Sequence, residues 1–196
     1  MMRRALFLDR DGVINIDRGY VGTRGDFEYA EGIFDLCRYA TDRGFLLLVI
    51  TNQAGIARGY YSERDFLALT EWMCATFREH GAPIAKVYFC PFHPEHGLGE
   101  YKRDSSFRKP GPGMILQAQT EFDIDLKRSV LVGDRVTDIR AGAAAGVGCN
   151  LLYRARLESG EAETSMAATA TIEKLADVIP FLDAQVAEVA AASCIS

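Results

Sequence analysis

Residues 5–13 read Ala5-Leu6-Phe7-Leu8-Asp9-Arg10-Asp11-Gly12-Val13. An unbroken apolar run has no polar side to show water, so it reads as a strand covered on both faces, as in a parallel sheet flanked by helices. It stops at an acid. Two more runs stop at a polar residue, Leu48-Val49-Ile50 at Thr51 and Val130-Leu131-Val132-Gly133 at Asp134. In an open parallel sheet the site lies beyond the carboxyl ends of the strands. The pattern therefore predicts that Asp9, Thr51 and Asp134 converge, although they are far apart in the chain.

Outward from these ends, short apolar runs alternate with longer amphipathic stretches, the rhythm of an α/β fold. Strands are expected at Ala5–Leu8, Phe45–Ile50, Lys86–Cys90, Ser129–Val132 and Val147–Tyr153. Helices are expected at Ile33–Arg43, Gly113–Phe122 and Asp138–Ala145. Another should open at an N-cap Ser62, with Asp65 three residues on, and run to about His80 before Gly81. A closing helix is expected over Ile172–Ala192, after a polar surface loop at Glu158–Thr169. Asn15–Asp26 and Pro91–Pro112 read as irregular, and loops of that length commonly carry function.

The chain has 196 residues, 48% of them hydrophobic, and a formal net charge of -5. That size suits one domain over 1–196, with a core at about 4–153 and a C-terminal loop and helix at 154–196. The acidic balance argues against nucleic acid or an anionic membrane as partner. The apolar run after Arg3-Arg4 breaks at Asp9, too early for a signal-peptide core, and the five scattered cysteines suit reduced thiols. A cytoplasmic monomer is the expectation.

Gly12 permits a sharp turn that brings the carboxylates of Asp9 and Asp11, and a backbone carbonyl, toward one point. Asp9, the Asp11 carbonyl and Asp134 make the sparse oxygen set suited to Mg2+, which keeps several waters and shares phosphate oxygens. Lys109, in Arg108-Lys109-Pro110-Gly111, would screen an anionic nucleophile from an anionic substrate. Thr51 and the amides after it could donate to phosphate oxygens. Each piece alone has a plainer reading: solvated aspartates in a turn, a solvated loop lysine, a threonine finishing a strand. Asp138, four residues after Asp134, reads equally well as an acid capping a helix.

Together, Asp9-x-Asp11-Gly12, Thr51-Asn52, Lys109-Pro110 and Gly133-Asp134 through Asp138 resemble the four motifs of phosphatases of the haloacid dehalogenase (HAD) superfamily. The strings DRDGVIN, TNQAGIARG, CPFHP, RKPGPGM and GDRVTDIRAG look like its histidinol-phosphatase and heptose-bisphosphatase subfamily, over roughly residues 4–153. The resemblance implies a Rossmann-like HAD fold without a separate cap domain. It implies that Asp9 attacks phosphorus, Asp11 protonates the leaving alkoxide and then activates water, and Thr51, Asn52 and Lys109 grip the phosphoryl group. It further implies substrate contacts from Asp17, Arg18, Gly19, Tyr20, Gln53, Arg108 and Arg135, and Mg2+ held by Asp9, Asp11 and Asp134.

The implied substrate is a small phosphorylated metabolite, first a heptose 1,7-bisphosphate dephosphorylated at position 7, with Arg18, Arg108 and Arg135 suited to its second phosphate. Histidinol phosphate is the alternative, with Asp17 or Glu28 facing its amine, and a non-catalytic phosphate-binding module the alternative of another class. The subfamily often carries a zinc loop, Cys-x-His followed by Cys-x-Cys. Here the loop reads Cys90-Pro91-Phe92 and later Ser105-Ser106-Phe107. No zinc is expected, because Cys90, His93 and His96 do not complete a tetrahedral site. Phe92 and Phe107 are expected to pack together in its place.

Overall fold

The computed structural model describes residues 2–154 and 166–193. Strands β1 (Arg4–Leu8), β2 (Phe45–Asn52), β3 (Ile84–Cys90), β4 (Val130–Gly133), β5 (Cys149–Tyr153) and β6 (Ala170–Ile172) form one parallel sheet in the order β3-β2-β1-β4-β5-β6. The chain starts at the centre, builds to one side through β2 and β3, then returns to place β4 against the other side of β1. The crevice of such a sheet opens where the order reverses, here between β1 and β4.

Alternation along the strands divides the core in two. Leu6, Leu8, Leu47, Val49, Val130 and Val132 face one layer, with α1 (Ile33–Asp42), α3 (Glu63–Glu79) and α6 (Ile179–Ser193) packed there through residues such as Leu36, Met73 and Leu182. Phe7, Leu48, Ile50 and Leu131 face the other, covered by α4 (Gly113–Phe122) and α5 (Val136–Ala145) through Ile115 and Ile139. Phe7, Leu6 and Leu8 are fully buried, at roughly 1.5–3 kcal/mol of transfer free energy each. This double cover is why β1 contains no polar side chain after Arg4.

Local signals set the element ends. The Ser62 side chain accepts from the Asp65 N–H at 3.1 Å and Asp65 returns the bond to the Ser62 N–H at 2.9 Å, the reciprocal cap that starts α3. Two elements differ from expectation. A short helix α2 (Ala54–Ala57) follows β2 directly. The stretch expected to be one helix from Ile172 instead gives β6, a turn of 3-10 helix at Leu175–Val178, and only then α6. Three residues are too few to show a strand period, and the apolar spacing of 172–182 fits either reading. Most of the expected 158–169 loop lies outside the described residues. Thr169 joins the sheet margin, donating its N–H to the Asn150 carbonyl at 2.7 Å.

Among the described residues no helix is long and apolar enough to cross a membrane. Phe92 does not form the expected ring pair with Phe107. Its partners are Tyr101, at 6.2 Å between ring centroids, and the Arg103 guanidinium at 3.7 Å, whereas Phe107 packs on the second core layer. The loop folds back on itself through a bond from the His93 N–H to the Tyr101 carbonyl, so Tyr101 reaches Phe92 first.

Candidate active site

Strand register brings the three strand-end residues together. Leu8 lies opposite Val49 on one side and Val132 on the other, so Asp9 leaves the sheet one residue below the level of Thr51 and Asp134. A cleft of about 650 Å³ opens there, lined by Asp9, Asp11, Thr51, Lys109 and Asp134. The convergence expected from the sequence is present.

Asp9 is 7% exposed. Its Oδ1 accepts the Arg10 N–H at 2.7 Å, and its Oδ2 lies 2.8 Å from Lys109 Nζ. The Lys109 ammonium, 3% exposed, also reaches Asp138 Oδ1 at 2.8 Å and donates to the Ile50 carbonyl at 2.9 Å. Burial alone would discharge this lysine, but Asp138 and Asp9 outweigh it and hold its pKa above the ordinary value. Asn52 fixes the segment by accepting the Lys109 N–H and donating to the Lys109 carbonyl, both at 3.0 Å. Asp138 caps α5 by accepting the Arg135 N–H at 2.9 Å. One buried acid thus performs both the capping expected from sequence and the orientation of Lys109.

Asp9, Asp134 and Asp138 each offer a carboxylate oxygen within 4.8 Å of the others. Asp138 is committed to Lys109 and the helix cap. Among the described residues, the buried Asp134 Oδ1 has no hydrogen-bond partner. Burial, with repulsion from Asp9 and Asp138, raises Asp134 to about 8. Burial also raises Asp9, to about 7, with Lys109 opposing the rise and Asp138 and Asp11 adding to it. An unpartnered oxygen among crowded carboxylates is the environment a hard divalent cation relieves. The residues present fit Mg2+. Close approach here requires glycine: Gly12 has φ +88°, and a Cβ on it would lie 2.2 Å from Asp134 Oδ2.

The Asp11 carboxylate faces a different set of donors. It accepts from Arg10 Nη2 at 2.9 Å on both oxygens, from Asn15 Nδ2 at 3.1 Å and from Gln53 Nε2 at 3.0 Å. Arg10 is 1% exposed and anchored to the Val21 carbonyl at 2.7 Å. Sequence reasoning passed over it, since an arginine between two acids looks solvated; the available signal was its place directly after a wholly buried strand.

Expected substrate contacts divide. Asp17, Gly19 and Tyr20 line the cleft from the first loop, and Arg108 and Arg135 from the other side. Asp17 accepts the Gly19 N–H at 2.9 Å and pairs with Arg135 at 2.8 Å. Arg18 is not among the lining residues: it is exposed and ion-paired with Glu28. Gln53, 1% exposed, does not line the cleft either. Asn52 does, with its amide engaged on Lys109. Arg140 and Arg154, which the sequence did not single out, also line the cleft.

A family model described as HAD-hydrolase-like matches residues 106–178. The D-glycero-alpha-D-manno-heptose-1,7-bisphosphate 7-phosphatase of Burkholderia mallei is 57% identical over 182 residues, 93% of this chain and 95% of that protein. The D-glycero-beta-D-manno-heptose-1,7-bisphosphate 7-phosphatase of Vibrio cholerae is 45% identical, covering 93% and 97%. Among solved structures, the D,D-heptose 1,7-bisphosphate phosphatase of B. bronchiseptica, complexed with magnesium and phosphate, superposes with TM-score 0.77 at 27% identity, covering 93% of this chain and 99% of that one. Such identity along nearly the whole chain, on a sheet whose carboxyl edge gathers Asp9, Thr51, Lys109 and Asp134, makes the protein a member of the HAD-type phosphatase family that includes the heptose-1,7-bisphosphate 7-phosphatases.

Proposed function

We propose that this chain removes the 7-phosphate of D-glycero-D-manno-heptose 1,7-bisphosphate, with Asp9 as nucleophile and Mg2+ as resident cofactor. The observation that carries the reading is the buried Asp9 carboxylate clamped to a buried Lys109 at 2.8 Å, beside an Asp134 oxygen that has no hydrogen-bond partner among the described residues. Asp9 and Asp134, with the Asp11 carbonyl, would hold the ion. When bound, it supplies positive charge that neutralises phosphate oxygens as the phosphoryl group transfers.

The chain's own residues do the rest. A bond forms between an Asp9 carboxylate oxygen and phosphorus as the phosphorus–sugar oxygen bond breaks, and Asp11 gives its proton to the departing alkoxide. Asp11 then takes a proton from water, whose oxygen attacks the aspartyl-phosphate and releases inorganic phosphate and free Asp9. Thr51 would donate to an equatorial oxygen, and the Lys109 ammonium, held beside Asp9, would offset the charge that gathers there. Charge from Arg108 and Arg140 suits the phosphate that stays on the sugar.

Both acids that could have met the amine of histidinol phosphate are engaged by arginine, Asp17 by Arg135 and Glu28 by Arg18. That favours the bisphosphate. The α anomer is the first choice, being the one named for the 57% identical relative. Such a substrate would place the enzyme in cytoplasmic synthesis of bacterial surface polysaccharide. Phosphate release from both heptose bisphosphate anomers and from histidinol phosphate, with Mg2+ and with excess chelator, tests the reading. Mg2+-dependent turnover preferring heptose bisphosphate is expected; preference for histidinol phosphate, or turnover indifferent to chelator, contradicts it.

A further inference from the structure

Beneath the cleft floor, one side-chain amide ties together two groups with different tasks. Gln53 Nε2 donates to Asp11 Oδ2 at 3.0 Å and lies 2.8 Å from Thr51 Oγ1, while Gln53 Oε1 accepts from the Tyr61 hydroxyl at 2.6 Å. While Asp11 is a carboxylate, an acceptor on both oxygens, the amide has one consistent orientation. Its oxygen turned toward Asp11 would set acceptor against carboxylate, and its NH2 turned toward Tyr61 would give up both inner bonds. The Asp11 carboxylate thus selects the orientation in which Gln53 donates inward, and the Tyr61 hydroxyl satisfies the amide oxygen from outside.

The consequence for Thr51 is specific. A hydroxyl has a single proton. Because Thr51 Oγ1 accepts from Gln53, its own proton remains available toward the cleft, where phosphate oxygens would lie. With the amide reversed, Thr51 would donate to Gln53 and lose that role.

Tyr61 is held as a fixed part. A Cβ on Gly22 would lie 2.5 Å from Tyr61 Cδ1, and one on Gly55 2.4 Å from its Cε1, so the ring fills a slot whose walls exist only because both residues are glycine. Burial raises the Tyr61 hydroxyl to about 12, against the lowering charge of Arg10. From the other side Arg10, with its guanidinium 5.5 Å from the Phe66 ring, grips both oxygens of Asp11. Of the parts that aim Asp11, Arg10 and Gln53 do not line the cleft, whereas Tyr61 does.

We propose that Tyr61 and Gln53 are positioning residues: through one oriented amide they set both the aim of the Asp11 carboxyl and the donor direction of the Thr51 hydroxyl. The inference rests on Asp11 being the acid that protonates the leaving group, as read above. It predicts damage that depends on the leaving group, because a sugar alkoxide requires a proton as it departs and 4-nitrophenolate does not.

The test compares kcat/KM, which reads the first irreversible step, for heptose 1,7-bisphosphate and 4-nitrophenyl phosphate in the wild type, Tyr61→Phe, Gln53→Met and Asp11→Asn, each with Mg2+. Tyr61→Phe keeps the ring in its slot and removes only the hydroxyl. It should lower the sugar value about tenfold and the aryl value less than about threefold, a part of the roughly hundredfold or greater effect of a positioned acid. Gln53→Met should lower the sugar value further and also reduce the aryl value, through Thr51. Asp11→Asn should show the largest loss on the sugar relative to the aryl ester. Equal losses on both substrates in Tyr61→Phe, or no loss on either, overturn the proposal while Asp11→Asn still discriminates. If Asp11→Asn itself fails to discriminate, the acid role of Asp11 falls and the proposal with it.

Discussion

Lys109 carries a full charge at 3% exposure and survives there because two carboxylates, Asp9 and Asp138, each stand 2.8 Å away. Removing one partner of a buried ion pair leaves charge with no compensation, at a cost of about 3–5 kcal/mol. Lys109→Met should therefore lower the urea midpoint strongly near neutral pH. The deficit should shrink as pH falls, since carboxyls whose folded pKa is raised are most compatible with the fold when protonated. An unchanged midpoint at neutral pH would mean that the triad is not a stabilising unit. At this scale Asp9, Asp11, Thr51, Lys109 and Asp134 were legible because each ends an apolar run or sits in a short motif. Arg10 and Tyr61 were not, since their contacts with Asp11, Val21 and Gln53 are set by how the loops fold and follow no motif or period. Arg18 stood in the expected motif, but the loop turns its side chain to Glu28.

The turn after β1 and the end of β4 meet at separations that only glycine allows. A Cβ on Gly133 would fall 2.2 Å from Asp138 Cβ, as one on Gly12 would from Asp134 Oδ2. Gly12→Ala adds the left-handed backbone penalty, about 1–2 kcal/mol, to that collision. It should lose Mg2+-dependent turnover far more than it loses thermal stability; a variant with wild-type activity at wild-type Mg2+ would show that the close approach is dispensable. Elements with a cap or a full period were readable from sequence, α3 from Ser62 and Asp65, α4 almost to the residue. The four-residue α2 and three-residue β6 were not, because neither completes a recognisable repeat and tertiary pairing alone fixes them.

Over the whole molecule, the switch in strand order between β1 and β4 collects acids that would repel one another. Asp9 and Asp134 are raised from 3.8 to about 7 and about 8. A carboxyl with a raised folded pKa contributes stability below its unfolded value and loses it as pH rises through the folded value. Metal-free protein should thus lose stability between about pH 4 and pH 8, and Mg2+ should restore more of it at about pH 8.5 than at about pH 6. Melting temperatures with and without Mg2+ at those two pH values check this; an equal gain at both would refute the coupling. The most direct measurement of the central claim is acid-quenched peptide mapping of enzyme mixed with heptose 1,7-bisphosphate and Mg2+. A phosphoryl group on the peptide carrying Asp9, absent in Asp9→Asn, is the predicted result; full turnover by Asp9→Asn, or a phosphoryl group trapped on another residue, would contradict it.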